Sequence, residues 1–414
     1  MTKRYDTYKD SGVQWLGEIP GHWKTMRSKF LLRLQTNSSK RPNKIGLENI
    51  EGFTGRYLST DSTFEGDGVD FDKGDIVYGK LRPYLCKVWL AEFDGNAVGD
   101  FYVYRTSEEY FNEYAKYFMM SNLFTDICNA STYGAKMPRV SSQFIQSLQI
   151  PLPPLSEQHS IVSYLDDKCV KIDKMLEGKQ KQIELLAEMK QRIIADAVTR
   201  GLNPDVKMKT TNIPWLPEIP EHWGEQRMAS LFSGDIEVNK DFEFKKAFKF
   251  NYGQLVPKNE IGDPEEYREV YVKYSKIKQG DILVNGLNLN YDFISQRVAC
   301  APSEGIITSA YVVCRPREGV NYDYYTFLFK SMDSMKLFHG MGTGIRLTLS
   351  FKEMKKQILP IPPKEEQRAI VSYITEKTTK IDTLAAKLQQ EIESIKEYKQ
   401  RLISDVVTGQ IKVC

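Results

Sequence analysis

No uninterrupted apolar run of about 18 residues occurs in this 414-residue chain, so no membrane-spanning helix is expected. Met1-Thr2-Lys3-Arg4-Tyr5-Asp6 is followed by no apolar stretch, so no secretory leader is expected either, and the chain reads as cytoplasmic. Histidine is scarce, at four residues, and the six cysteines, Cys86, Cys128, Cys169, Cys300, Cys314 and Cys414, form no C-x-x-C pair. Zinc-ligand spacing cannot be assembled from them; free thiols and no bound metal are expected. The phosphate-cradling pattern G-x-x-x-x-G-K-[ST] is missing. Gly340-Met341-Gly342-Thr343-Gly344 lacks the third glycine of a dinucleotide fingerprint and reads as a backbone-flexible loop. Asp67, Asp70 and Asp72 lack the spacing of an EF-hand and read as a solvated turn. Charge of one sign is lacking too: 57 Lys and Arg face 54 Asp and Glu, which excludes a basic coat but permits basic patches. With 41% hydrophobic and 27% charged residues, two to three ordinary globular domains are expected rather than disorder.

What is present is repetition. Val13-Gln14-Trp15-Leu16-Gly17-Glu18-Ile19-Pro20-Gly21-His22-Trp23 returns as Ile213-Pro214-Trp215-Leu216-Pro217-Glu218-Ile219-Pro220-Glu221-His222-Trp223, a shift of 200 residues from Trp15 to Trp215. Ile150-Pro151-Leu152-Pro153-Pro154-Leu155-Ser156-Glu157-Gln158 returns as Leu359-Pro360-Ile361-Pro362-Pro363-Lys364-Glu365-Glu366-Gln367, a shift of 209 from Gln158 to Gln367. A period of half the chain is far beyond solenoid repeats of about 20 to 50 residues, so each copy is a domain-sized unit.

Each copy ends in a long helical pattern. Leu165, Ile172, Leu186 and Ile193 lie on one heptad track, with Leu176 and Ile183 on a second. Ile374, Ile381, Leu388, Ile395 and Leu402 repeat the first track, with Ile392 on the second. The Pro-Pro pairs precede the helix starts, Glu157, Glu365 and Glu366 sit where carboxylates complement the helix dipole, and Gly201 and Gly409 suit the helix ends. At about 44 residues and about 1.5 Å per residue, each helix spans on the order of 66 Å. Antiparallel pairing of the two is the preferred reading; Lys190 and Lys399 occupy equivalent seam positions, where they read equally as register elements or as snorkelling lysines without that role. The expected fold is therefore α+β. Its parts are a mixed domain over 1–154, a spacer helix over 155–200, a second mixed domain over 201–363 and a second spacer helix over 364–409, with approximate two-fold symmetry.

Within the mixed domains, Gly74-Asp75-Ile76-Val77-Tyr78 and Gly280-Asp281-Ile282-Leu283-Val284 read as turn-to-strand entries, and Phe101–Tyr104 and Ala310–Val313 as buried strands. The first entry leads into Gly79-Lys80-Leu81-Arg82-Pro83-Tyr84; the second leads into Asn285-Gly286-Leu287-Asn288-Leu289-Asn290. Equal scaffolds with unequal polar loops suggest two readers of two different things.

The Pro-rich leaders into Glu-Gln and a long helix, the duplicated Trp-Leu-x-x-Ile-Pro-x-His-Trp box, Gly79–Tyr84, and the helix-end triplets Lys190-Gln191-Arg192 and Lys399-Gln400-Arg401 together resemble the specificity subunit of a type I restriction-modification system. The resemblance spans essentially the whole chain. It implies two target recognition domains and an antiparallel coiled coil that sets their spacing on a bipartite double-stranded DNA target. It further implies a non-catalytic subunit that partners two methyltransferase subunits and ATP-driven restriction (translocase) subunits. S-adenosylmethionine, ATP and magnesium then belong to those partners, and this chain binds no cofactor. The absence of an Asn/Asp-Pro-Pro-aromatic motif agrees, since the Pro-Pro pairs stand only in the helix leaders.

Reading DNA requires cations for phosphates, Arg for guanine edges, and Asn or Gln for adenine edges. In the first half these residue types point to Lys40, Arg41, Lys80, Arg82, Tyr84, Lys136 and Arg139; in the second, to Lys240, Lys245, Lys246, Asn285, Asn288, Asn290, Arg297 and Arg346. Each could also be a solvated surface charge, and asparagines equally serve tight turns. Trp15, Trp23, Trp215 and Trp223 are expected to pack the domains onto the helices rather than stack on bases. The rival reading of the whole chain is a coiled-coil assembly adaptor without base-specific DNA contact.

Overall fold

The computed structural model describes residues 4–134, 136–258, 262–290, 296–344 and 347–413. The chain forms two compact units, Met1–Lys181 with Leu388–Cys414, and Gln182–Lys387. Each unit thus holds one mixed domain together with parts of both long helices, Leu155–Arg200 and Lys364–Val407.

The first mixed domain is organised by an antiparallel sheet in the order Leu32–Gln35, Phe101–Thr106, Ile76–Gly79, Val88–Leu90. Alternation along Ile76–Gly79 divides two cores: Ile76 and Tyr78 face helix Asn112–Met120 and the long helices, while Val77 joins Trp89, Phe71 and Val103 on the other side. The second domain repeats this order with Phe232–Ser233, Val312–Pro316, Ile282–Val284 and Val298–Cys300. Ile282 and Val284 again belong to one core and Leu283 to another. The aspartate opening each central strand forks onto an arginine of the neighbouring strand. Arg105 Nε and Nη2 reach Asp75 at 2.8 and 2.7 Å, and Arg315 Nε and Nη2 reach Asp281 at 3.1 and 2.8 Å.

The duplicated tryptophan box docks on the start of each long helix. In the first unit Trp23, fully buried, donates its indole N–H to Glu157 Oε2 at 3.0 Å; Tyr5 donates its hydroxyl to the same oxygen at 3.0 Å, and His22 Nε2 lies 2.5 Å from Oε1. In the second unit Trp223 Nε1 stands 3.0 Å and His222 Nε2 2.7 Å from Glu366 Oε2. These carboxylates do more than complement a helix dipole: they clamp the box to the helix. The following glutamines explain the rest of the leader, for Gln158 donates to the Pro153 carbonyl at 3.0 Å and Gln367 to that of Pro362 at 2.8 Å. At the helix ends Gly201 (φ +76°) and Gly409 (φ +77°) adopt the left-handed conformation, and a Cβ at Gly409 would stand 2.4 Å from the Pro20 ring.

All twelve seam residues, Leu165, Ile172, Leu176, Ile183, Leu186, Ile193, Ile374, Ile381, Leu388, Ile392, Ile395 and Leu402, are buried or half-buried. In the first unit Asp173 pairs with Lys399 and Lys179 with Glu391, so partner numbers fall as the first helix rises and the segments run antiparallel. In the second unit Lys190 pairs with Asp382 while Val198, farther along, shares a core with Ile370 and Ile374. The buried face is wider than the heptad tracks, because Ile194 and Ile403 join the cores of the mixed domains.

Candidate nucleic-acid interface

Two loops converge where the strand Ile76–Gly79 ends. Val140 donates its backbone N–H to the Lys80 carbonyl at 3.2 Å and Arg82 donates to that of Pro138 at 2.8 Å, while Tyr133 and Arg139 exchange a backbone pair at 3.1 and 3.0 Å. Lys80 Nζ lies 4.0 Å from Asp100 Oδ1 and 5.1 Å from the centroid of the Tyr102 ring. Arg139 forks onto Asp100 with Nε at 3.0 Å and Nη2 at 2.9 Å, a hydrogen bond and charge that raise its pKa above the usual guanidinium value. Asp100 therefore holds both cations at the edge, whereas Arg82, Tyr84 and Lys136 project as exposed residues. The structure adds Tyr133, 59% exposed, and Met137, 45% exposed, to this edge. The sequence signal for these two was faint: apolar side chains beside the Gly134 turn, easily read as core.

The same architecture recurs in the second unit with other side chains. Leu349 donates to the Gly286 carbonyl at 2.9 Å, the equivalent of Val140 donating to Lys80, and Leu289 donates to that of Leu347 at 3.3 Å. Asn285 accepts the Leu287 backbone N–H on its side-chain oxygen at 3.2 Å, so part of the asparagine run builds the turn. Asn288 has φ +52° and is exposed, and Asn290 is half-buried. Arg346 lies outside the described residues.

Arg297 corrects the sequence expectation. Its side chain is fully buried and Nη1 donates to the carbonyls of Asn285 and Leu287, each at 2.9 Å, so it supports the loop from below and does not face solvent. Arg41 is also engaged: Nη1 lies 2.8 Å from Asp72 Oδ1 and 2.5 Å from the Phe71 carbonyl, and Nε 3.8 Å from Asp70. Asp70 and Asp72 are accordingly ion-pair partners rather than a solvated turn; hydrogen bonding and charge from Arg41 and Arg105 hold Asp72 below the usual carboxylate range. Because Arg105 joins Asp72 to Asp75, Arg41 belongs to the beginning of strand Ile76–Gly79 and Lys80 to its end; the structure does not bring these two groups together. Lys40 is exposed beside Arg41.

In the second unit Lys240 is exposed, Lys245 lies 2.8 Å from Glu265, and Lys246 donates to the Ser303 hydroxyl at 2.8 Å. Lys245 and Lys246, with Lys258, line a cavity of about 130 Å³ whose wall includes Tyr271. Among the described residues no His, Cys, Asp and Glu cluster suits a metal, and no helix is long and apolar enough to cross a membrane.

The family model described as type I restriction modification DNA specificity domain matches residues 43–185 and 242–394, more than half of the chain. The chain belongs to this family. Both matched segments contain one two-loop edge and run into one of the long helices. The chain is 29% identical over 208 residues to the type I restriction enzyme EcoDI specificity subunit of Escherichia coli, a match covering 46% of each chain, so it spans about half of that relative. It is 24% identical to the type I restriction enzyme MjaVIII specificity subunit of Methanocaldococcus jannaschii over 95% of this chain and 94% of that one. A solved chain from work on complex assembly and conformational transition of the type I R-M system shares the fold, with a TM-score of 0.69 at 18% identity, covering 95% of this chain and 99% of that one. The specificity subunit thus has two tandem mixed domains and two long helices, as its internal repeat required.

Proposed function

We propose that this specificity subunit reads a bipartite, gapped sequence in double-stranded DNA, one half-site per mixed domain, and positions two methyltransferase subunits and the restriction subunits on it. The observation that carries the reading is the repeated two-loop edge. Equivalent backbone hydrogen bonds, Val140 to Lys80 and Leu349 to Gly286, support Lys80, Arg82, Tyr84 and Lys136 in one copy and an asparagine-rich turn in the other. A common frame with different donors is what independent readers of different base sequences require. The chain itself performs no reaction in this reading. S-adenosylmethionine, ATP and magnesium serve the partner subunits, base flipping of the target adenine is the methyltransferase's task, and the complex works in the cytoplasm.

The long helices supply the ruler. A span on the order of 66 Å corresponds to at most about 19 base pairs at 3.4 Å each, and roughly one DNA turn between half-site centres is expected once the domains dock inward. Inserting one heptad in both helices should lengthen the tolerated gap.

The test is single-molecule sequencing of adenine methylation in cells that express the chain with its methyltransferase partner, against cells expressing the partner alone. A gapped motif that appears only with both proteins supports the function; an assembled complex that creates no new motif favours an adaptor without base-specific contact.

A further inference from the structure

One scaffold position carries a cation in both copies. Lys87 and Arg297 each precede the last strand of the main sheet, and each accepts, on its backbone carbonyl, the N–H that ends the central strand: Gly79 to Lys87 at 2.8 Å and Asn285 to Arg297 at 2.8 Å. Their side chains turn inward rather than toward solvent, but they fasten different segments. Lys87 Nζ donates to the carbonyls of Leu47 and Ile50 at 2.7 and 2.6 Å. That segment packs beside the Arg82–Cys86 loop, since Phe53 donates its N–H to the Cys86 carbonyl at 3.0 Å. Arg297 fastens the asparagine turn itself, through Asn285 and Leu287 at 2.9 Å each, while its own N–H donates to Asp333 Oδ2 at 2.7 Å. Arg297 thus lies beneath the asparagine turn and Lys87 beneath the segment that flanks the Arg82–Cys86 loop; each bridges two backbone carbonyls, of which that of Leu47 also accepts the Ile50 N–H closing its short helical turn.

Resting on the DNA-reading function above, we propose that Lys87 and Arg297 are positioning residues for base discrimination, each acting on its own half-site by fixing the loop that reads it. Neither touches DNA. A base-edge contact depends on donor placement to a fraction of an ångström, so a loop released from its anchor keeps its phosphate attraction and loses its selectivity. The exchange is asymmetric: at Arg297 both carbonyls of the tight turn are reached by Nη1, one bond farther from the backbone than a lysine Nζ, whereas at Lys87 the longer guanidinium can still reach the carbonyls of Leu47 and Ile50.

The experiment uses the full chain assembled with its methyltransferase partner. Initial methylation rates are compared on duplexes carrying the intact target and duplexes with one base pair substituted in either half-site; the second half-site is the one that changes when residues 201–358 are exchanged. For Arg297→Lys, the ratio of intact to substituted rates should fall about tenfold for the second half-site and stay constant for the first. Lys87→Met should do the reverse, and Lys87→Arg should restore the first half-site ratio. Equal loss in both half-sites, or no loss in a folded variant, overturns the anchor. Should Arg297→Lys fail to fold, the half-exposed Lys87 position decides alone. A wild-type complex that shows no gapped preference rejects the DNA-reading function itself, and is thereby distinguished from failure of the anchor alone.

Discussion

Lys399 Nζ stands 2.6 Å from Asp173 Oδ1, and its repeat counterpart Lys190 stands 2.7 Å from Asp382, the counterpart of Asp173. The two pairs obey one register rule but differ in setting. The Lys399 side chain is 8% exposed and Asp173 is shared with Arg56, whose Nη2 lies 3.3 Å away; the Lys190 and Asp382 side chains are 35% and 60% exposed. Truncating Lys399 to Ala should therefore destabilise the first unit by roughly 2 kcal/mol, while Lys190→Ala should cost the second less than about 1 kcal/mol. Denaturant melts of the two variants, followed by hydrogen exchange in each long helix, check the asymmetry; equal effects would show that burial does not govern these pairs.

The Glu157 clamp predicts a pH dependence. Burial pushes this carboxyl upward, but hydrogen bonds from Trp23, His22 and Tyr5 outweigh it and set the pKa below the usual glutamate range. With a folded pKa below the unfolded one, the stabilisation is complete above the ordinary glutamate range and is lost as pH falls through the lowered value. Glu157→Gln should accordingly destabilise by roughly 1–2 kcal/mol at neutral pH, with the difference from wild type shrinking below about pH 4. Parallel melts at pH 7 and pH 4 measure it.

Trp23→Ala removes a fully buried indole from the junction of box and helix. A loss of about 3–5 kcal/mol is expected, with weaker DNA binding only in proportion to the unfolded fraction. If affinity falls while the melting temperature holds, the packing assignment is wrong.

Arg82 is exposed at the edge, whereas Arg139 is committed to Asp100. Arg82→Ala should weaken binding without changing the melting temperature. If it contacts a phosphate, the slope of log affinity against log salt should shrink by about 0.9 and sequence preference should persist; if it reads a guanine, preference at one position should relax. Salt titrations on intact and substituted targets separate the two, and an unchanged affinity removes Arg82 from the interface.

Exchanging residues 201–358 for the corresponding domain of another family member should alter one half-site and leave the other intact. Methylation sequencing of the hybrid reads the outcome directly, and an unchanged target sequence would reject the modular arrangement.

Much of this architecture was legible in the residues because it rests on local periodicity and on duplication. Heptad spacing marks Leu165 to Ile193 and Ile374 to Leu402 whatever surrounds them, and a motif that returns after about 200 residues announces a second copy of the fold. Alternation along Ile76–Gly79 is a local signal of the same kind. The candidate contact residues were only partly legible. Lys80, Arg82, Tyr84, Lys136 and Arg139 do meet at one edge, but Arg41 and Arg297 have the same side-chain chemistry and different fates. Arg41 is drawn to Asp70 and Asp72 across about 30 residues of chain, and Arg297 is buried beneath the turn that begins at Asn285.

The sequence by itself determined the two copies, the mixed domains and the two long helices, because backbone periodicity and apolar patterning act over a few residues at a time. Only the tertiary structure decided which cations face solvent, which are held by Asp100 or Asp72, and which, like Lys87 and Arg297, carry a loop. Charge pairing and desolvation depend on what the fold brings within about 4 Å, and that proximity is set by strands and loops distant in sequence.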